Sequence, residues 1–151
     1  MNEIAEKPPI AAIATPVGEC GIAVIRVSGL NAISKVNEAF KDKDLTKQDS
    51  HTVHFGKIMN KNNLPVDEVL VTLFRSPKSY TGEETVEISC HGGVLVTQSV
   101  LETILALGVK SAEPGEFTRR AFANGRMDLA EAEGLADLLA AETELQRQGA
   151  L

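Results

Sequence analysis

The sequence predicts an α+β domain built on a mixed β-sheet with flanking helices. Short runs rich in β-branched residues recur along the chain, and segments with helical spacing lie between and after them. The predicted order is two strands and a helix, then three strands, a helix and a short strand, and finally two helices. Because the strands neither alternate strictly with helices nor all follow one another, this order favours the α+β class.

The first third of the chain contains the first two strands and the first helix. Strands are predicted over residues 10–15 and 21–27, where apolar runs flank a loop containing proline and glycine. Apolar residues at helical spacing predict a helix over residues 30–40, with Ser28 as its N-cap. The charged segment 41–50 is predicted to be a loop.

The middle of the chain predicts a hairpin followed by a third, shorter strand. Strands over residues 51–59 and 66–74 flank the turn sequence 62–65. The loop 75–83 contains proline and glycine and shows no periodicity. Residues 85–90 then alternate, which places one apolar set and one polar set on opposite faces of a strand. The apolar set is Val86, Ile88 and Cys90.

The last third is predicted to be mainly helical. A helix over residues 94–107 ends at Gly108, in the position of a C′ glycine, and a short strand follows over 109–112. Another helix is predicted to begin near Pro114. The last helix begins at about Asp128, and most of its acidic residues lie outside its apolar stripe. The far end of this stripe has no evident partner, so we expect the helix to open a further module.

Charge and composition exclude several classes of protein. Of the net charge of −6, residues 127–151 contribute −5, which leaves the remainder nearly neutral. With no Trp and one Tyr, the chain lacks the basic footprint and the aromatic platform of an autonomous nucleic-acid binder. Cys20 and Cys90 form neither a disulfide framework nor a zinc spacing, and no apolar run resembles a signal peptide or a membrane span. A cytoplasmic protein without membrane contacts is predicted.

Three places break the local pattern and are the candidate functional positions. Arg26 is the only charge in an apolar strand, so it must meet a carboxylate, a phosphate or carbonyl groups, or reach solvent at the strand end. Glu87 lies on the polar face of its strand, where a carboxylate can accept two parallel N–H groups or simply face solvent. His91, Gly92 and Gly93 join a strand to a helix, where they form either a ligand-contacting wall or only a tight turn.

No catalytic arrangement can be assembled from the remaining residues. The three histidines, His51, His54 and His91, are scattered and do not predict a metal site, and no Ser/His/Asp or Cys/His set is evident. A phosphate-binding loop of the G-x-x-x-x-G-K-[ST] type is absent, so this chain alone is not expected to hydrolyse nucleotides. We therefore name no catalytic residue and no metal ligand.

Several long segments resemble the N-terminal part of one family, the tRNA modification GTPases of the MnmE (TrmE) type. The match runs in order from about residue 10 to the end, and residues 51–75 add little to it. The segments that carry it are 10–16, 21–29, 79–93, 113–122 and 124–133.

The resemblance implies a fold similar to the tetrahydrofolate-binding domain of the aminomethyltransferase family. It also implies a homodimer that binds 5-formyl- or 5,10-methylene-tetrahydrofolate near the subunit boundary. In this family a helical domain and a GTPase domain that uses GTP, K⁺ and Mg²⁺ follow. With an FAD-dependent partner of the MnmG type, the whole protein adds an aminomethyl-type group to C5 of the wobble uridine of tRNA.

The resemblance also assigns roles to individual residues. Arg26 lies where the family has a folate-contacting arginine, and Glu87 where it has the glutamate that reads the pterin. Arg126 lies where some members have a folate-contacting lysine, so the charge is kept but the geometry differs. His91 and the two glycines after it are expected to shape the pocket wall, with no assigned chemical role.

The resemblance divides the chain into residues 1–120, a folate-binding domain, and residues 121–151, the start of the helical domain. Because GTPase motifs and the C-terminal cysteine motif are absent from the sequence, we expect a fragment that does not hydrolyse GTP. Two alternatives stay open at this point. One is a free-standing folate-dependent one-carbon transferase, and the other is a purely structural dimerisation module.

Overall fold

The computed structural model describes residues 8–16 and 21–147, with side chains for all of these except residues 136, 139, 140 and 142–147. Cys20 and most of the loop before it lie outside the described residues. The strands are β1 (Ile10–Ile13), β2 (Ile22–Ser28), β3 (Phe40–Lys41), β4 (Thr52–Met59), β5 (Pro65–Phe74), β6 (Thr85–His91) and β7 (Lys110–Ser111). The helices are α1 (Ala32–Ala39), α2 (Val94–Leu105), α3 (Glu116–Ala123) and α4 (Leu129–Arg147), and a 3₁₀ turn spans Leu45–Lys47.

The described strands form one sheet in the order β3-β4-β5-β6-β2-β1-β7. All neighbouring pairs are antiparallel except β1 and β7, which are parallel. The sheet is therefore mixed, and the predicted α+β class is confirmed. The similarity to the aminomethyltransferase fold stays a prediction.

One face of the sheet carries the hydrophobic core. The alternating residues of the three central strands are fully or almost fully buried there, together with the inner residues of α1 and α2. The sequence alternation predicts one apolar face for β5, with Val69, Val71 and Leu73, and one for β6, and both are confirmed because these residues are buried. The central strand residues of the core are Ala23, Ile25, Val27, Val69, Val71, Leu73, Val86, Ile88 and Cys90.

The opposite face is here called the open face. Near the start of β6 it is covered by the loop 75–84 and by α3, and Ser28 and Thr85 are buried beneath them. Further along the strands, apolar side chains on this face are exposed, most of all Ile22 (65%) and Phe55 (61%). The open face therefore has a covered end and an exposed end.

Two local predictions were wrong. Ser28 is not a helix cap: it lies at the end of β2, and its hydroxyl donates to Glu83 Oε1 at 2.8 Å. The residue before α1 is Asn31, with a φ of 67° and no capping bond from its side chain. The predicted loop 41–50 contains the second residue of β3 and a 3₁₀ turn, where Asp44 Oδ1 accepts the Thr46 N–H.

Helices α3 and α4 lie at the boundary predicted between the two domains. The predicted boundary after residue 120 falls inside α3, which runs continuously to Ala123. The main helical neighbour of α3 is α4. Leu129 and Leu138 of α4 are exposed, whereas the side chains of Ala136 and Leu139 lie outside the described residues.

In the described part of the chain, no helix has the length and apolar character needed to cross a membrane.

A buried histidine, His54, is expected to make the stability of the domain depend on pH. His54 is 6% exposed. The Thr52 hydroxyl donates its hydrogen to the Asp49 carbonyl, so its oxygen must accept from His54 Nε2, which lies 2.7 Å away. Its Nδ1 therefore accepts from the Lys43 ammonium at 3.2 Å. Burial and then the Lys43 charge lower the pKa of His54 below its ordinary value.

We expect the free energy of unfolding to fall as the pH drops through about 6.5, the ordinary pKa of histidine. The unfolded chain binds the proton first, so protonation favours unfolding between that value and the lower pKa of folded His54. Urea unfolding at about pH 7.5 and 5.5, above the range of most carboxyl groups, measures the effect. His54→Gln should flatten the dependence, and an unchanged slope in this variant would exclude His54 as its source.

Candidate active-site geometry and family

The strand register brings Arg26 and Glu87 together on the open face. Arg26 of β2 lies directly opposite Glu87 of β6, although 61 residues separate them. The Arg26 Nε donates to Glu87 Oε2 at 3.1 Å, and the side chains are 22% and 29% exposed. The two positions that the sequence analysis selected separately therefore form one ion pair on neighbouring rigid strands.

Two aromatic rings lie against the guanidinium of this pair. The Arg26 Cζ is 4.8 Å from the ring centroid of Tyr80, in the loop 75–84, and 5.4 Å from that of Phe117, in α3. Both distances are within the range of cation–π attraction. The Tyr80 hydroxyl and Thr118 Oγ1 are 3.0 Å apart, which joins the loop to the helix. The site thus combines a cation, a carboxylate and aromatic walls.

The ion pair keeps hydrogen-bonding capacity for a ligand. Among the described residues, Arg26 is the one hydrogen-bond donor to Glu87, and the contact uses Oε2 alone. In the same part of the chain, no acceptor is bonded to the terminal nitrogens of Arg26. A carboxylate accepts up to about four hydrogen bonds and a guanidinium donates five. The pair is therefore able to bind a planar group with adjacent N–H donors and a nearby acceptor.

Arg126 lies beside Gly82 of the loop 75–84. It is exposed, and its backbone N–H donates to the Ala121 carbonyl at 2.8 Å. Its aliphatic stem packs beside Gly82, where a Cβ would lie 3.1 Å from Arg126 Cγ. The described contacts of Arg126 include neither Arg26 nor Glu87. Its predicted role in ligand binding stays a prediction.

His91 lies at the other end of β6. Its backbone N–H donates to Asp67 Oδ2 at 2.8 Å, and its Nδ1 donates to Asp67 Oδ1 at 2.7 Å, so one carboxylate fixes both groups. Four residues along a strand separate it from Glu87, about 13 Å. Gly92 and Gly93 then lead into α2. The described contacts of these three residues do not reach Arg26, and their role as a pocket wall stays a prediction.

The histidines do not converge. His51 packs edge-on against Phe74, with ring centroids 5.2 Å apart, while His54 is in the core and His91 is paired with Asp67. Within residues 8–16 and 21–147, no group of three or more His, Cys, Asp or Glu residues is arranged to hold a metal ion.

Sequence reasoning missed the residues that surround the ion pair. Tyr80 and Phe117 lie in segments that carried the family resemblance, but neither was selected, because nothing local indicates which strand a loop or a short helix will cover. Glu83 and Arg120 were missed for the same reason. The spacing of four residues between Glu116 and Arg120 was the one available signal, since such pairs are neighbours on a helix.

Three relatives named tRNA modification GTPase MnmE match most of this chain. The protein of Acholeplasma laidlawii is 57% identical over 135 residues, 89% of this chain and 30% of the relative. The protein of Bacillus cytotoxicus is 54% identical over 136 residues, which cover 89% of this chain and 30% of the relative. The protein of Lactobacillus helveticus is 48% identical over 149 residues, which cover 98% of this chain and 32% of the relative. This chain thus spans about 30% of the length of these relatives.

A family model supports the same assignment. The model described as GTP-binding protein TrmE N-terminus matches residues 9–126, from just before β1 to just beyond α3. The match includes Arg26, Glu87, Tyr80 and Phe117, and it ends at Arg126. The chain belongs to the family of TrmE N-terminal domains.

Proposed function

We propose that this chain is the tetrahydrofolate-binding and homodimerisation domain of a tRNA modification GTPase. The Arg26–Glu87 pair carries this proposal, because it joins unused donors and acceptors to aromatic walls on a rigid sheet. Membership of the TrmE family supports the link to tRNA modification, since the relatives are named for that activity.

The residues fit the chemistry of a pterin ring. A pterin presents a ring N–H and an exocyclic amino group side by side, which a carboxylate accepts together. Glu87 stands on a strand and keeps one oxygen outside its contact with Arg26. Arg26 keeps donors for an acceptor of the ligand, and Tyr80 and Phe117 offer apolar surface to a flat ring. When bound, the folate would supply a one-carbon unit for the modification reaction.

The remaining activities of the proposal belong to the longer proteins that this chain resembles. GTP binding and hydrolysis, with K⁺ and Mg²⁺, require a nucleotide-binding motif that this sequence does not contain. The proposal therefore assigns them to other segments of a whole MnmE-type protein. It assigns contact with tRNA to that protein together with an FAD-dependent MnmG-type subunit, in the cytoplasm.

The exposed end of the open face is the proposed dimer surface. Phe55 and Leu70 are opposite each other on β4 and β5, with exposures of 61% and 46%, and Val53 and Ile22 add further apolar area. Contiguous apolar side chains on a sheet face are typical of interaction sites. Because the Arg26–Glu87 pair lies on this face, a second copy would be close to the ligand site.

A titration and a sedimentation experiment test the proposal together. We expect calorimetry to detect binding of 5-formyltetrahydrofolate, and sedimentation at tens of micromolar to give the mass of a dimer. Phe55→Lys should shift the domain toward a monomer, because it places a charge in an apolar interface. Leu95→Lys is the matched control: Leu95 is 82% exposed on α2, on the other side of the sheet, and should leave the dimer intact.

The same pair of measurements separates the alternatives. A dimer that does not bind the folate would support a purely structural module. A monomer that binds the folate with full strength and transfers a one-carbon unit by itself would support a free-standing transferase. The absence of both binding and dimerisation would contradict the proposal.

A further inference from the structure

A second ion pair joins the loop 75–84 to α3, apart from the candidate binding pair. The Arg120 Nη1 lies 3.2 Å from both carboxylate oxygens of Glu83, and the two side chains are 16% and 18% exposed. The Ser28 hydroxyl donates to Glu83 Oε1 at 2.8 Å, which fixes the carboxylate to the end of β2. Glu83 is thus held from two directions.

The second terminal nitrogen of Arg120, Nη2, also forms a hydrogen bond. Its Nη2 donates to Glu116 Oε2 at 3.2 Å, and Glu116 Oε1 accepts the Glu113 N–H at 2.9 Å at the start of α3. Burial raises the pKa of Glu116, but the Glu113 N–H and the Arg120 charge outweigh it and hold that pKa below its ordinary value. Arg120 therefore links the loop, the sheet and the first turn of its own helix.

The two segments joined by this pair are those that carry the rings against Arg26. Tyr80 precedes Glu83 by three residues in the loop, and Phe117 precedes Arg120 by three residues in α3. The main helical neighbour of α3 is α4 rather than α1 or α2, and its side chains bond to the loop through Thr118 to Tyr80 and through Arg120 to Glu83. A shift at the ion pair would move both rings relative to Arg26.

We propose that Glu83 and Arg120 are positioning residues that hold Tyr80 and Phe117 against Arg26 and thereby set the affinity of the site for a pteridine ligand. Neither residue needs to touch the ligand. The affinity statement rests on the proposed function, whereas the placement of the rings does not. A binding site loses affinity when its side chains must be ordered at the moment of binding.

The chain contains one Tyr and no Trp, so its near-ultraviolet fluorescence reports on Tyr80 alone. We expect Arg120→Met to increase acrylamide quenching of this emission without ligand, because the loop is released from α3. We also expect about a fivefold loss of affinity for 5-formyltetrahydrofolate, with far-ultraviolet circular dichroism unchanged. Arg120→Lys keeps the charge but lacks the planar fork, so both effects should be intermediate.

Arg119→Met is the matched control. Arg119 is the adjacent residue of α3, is 61% exposed and pairs with the exposed Glu113, so its loss should change neither quenching nor affinity. Wild-type quenching in a folded Arg120→Met or Arg120→Lys protein would overturn the proposal. If the wild-type protein bound no folate, the proposed function would fail, while the quenching comparison would still decide whether this pair positions Tyr80.

Discussion

Glu87→Gln is expected to weaken binding of 5-formyltetrahydrofolate by at least tenfold, about 1.4 kcal/mol. Glutamine keeps the size of the side chain and one acceptor oxygen but loses the charge and the second acceptor. One N–H group of the pterin would then face an amide N–H instead of a carboxylate oxygen. That pterin N–H would stay without an acceptor in a desolvated pocket. Calorimetric titration of the variant and the wild-type protein measures the difference.

The same substitution should leave the thermal midpoint nearly unchanged. The Arg26–Glu87 pair is partly exposed, and pairs of this kind contribute little to stability. Glu68→Gln is the matched control, because Glu68 is exposed on the same face of β5 and should affect neither measurement. Wild-type affinity in Glu87→Gln would mean that Glu87 does not read the pterin. Loss of folding together with binding would indicate a structural role instead.

Gly56→Ala is expected to lower the free energy of unfolding by about 2 kcal/mol, the usual range for overpacking. Gly56 is buried in β4 beneath the ring of Phe40, and a Cβ there would overlap the Phe40 ring and lie 2.5 Å from the Lys41 carbonyl oxygen. Phe40 and Lys41 form β3, which pairs with the next residues of β4. The ring and the strand must move to admit one methyl group.

Chemical unfolding of Gly56→Ala and Gly21→Ala measures this effect against a matched control. A Cβ at Gly21 would meet no atom of the described residues within 4 Å, so the same substitution there should cost less than about 0.5 kcal/mol. Equal losses in the two variants would show that backbone flexibility, rather than the contact between Gly56 and β3, determines the cost.

The sequence predicted most elements of the fold and their order. Strands β5 and β6 follow from alternation, because side chains along a strand repeat every two residues. Strand β4 and helix α2 follow from the turn residues and glycines that bound them. The errors fall where local rules compete with tertiary contacts. Ser28 has the chemistry of a helix cap, but Glu83 binds its hydroxyl at the sheet. The two-residue β3 has no pattern of its own and exists only because β4 lies beside it.

The candidate site was predicted in part. Arg26 was evident from sequence because an isolated charge in an apolar strand requires a partner. Glu87 was selected because a carboxylate on the polar face of a rigid strand can accept two parallel N–H groups. That the two are partners was not predictable, since the pairing depends on which strands are neighbours and on their register. The positions of Tyr80, Phe117 and Arg120 depend in the same way on where a loop and a short helix cross the sheet.

The sequence by itself therefore determined the α+β class, the apolar faces of β5 and β6, the family, and two residues of the candidate site. The tertiary structure alone decided that Arg26 pairs with Glu87, that two aromatic rings flank the pair, and that Glu83 and Arg120 join the segments carrying those rings. The reason is physical: periodicity records which side of an element faces the core. Contacts between residues 37 to 91 positions apart are set by strand order, register and the crossing of other elements, which no local pattern encodes.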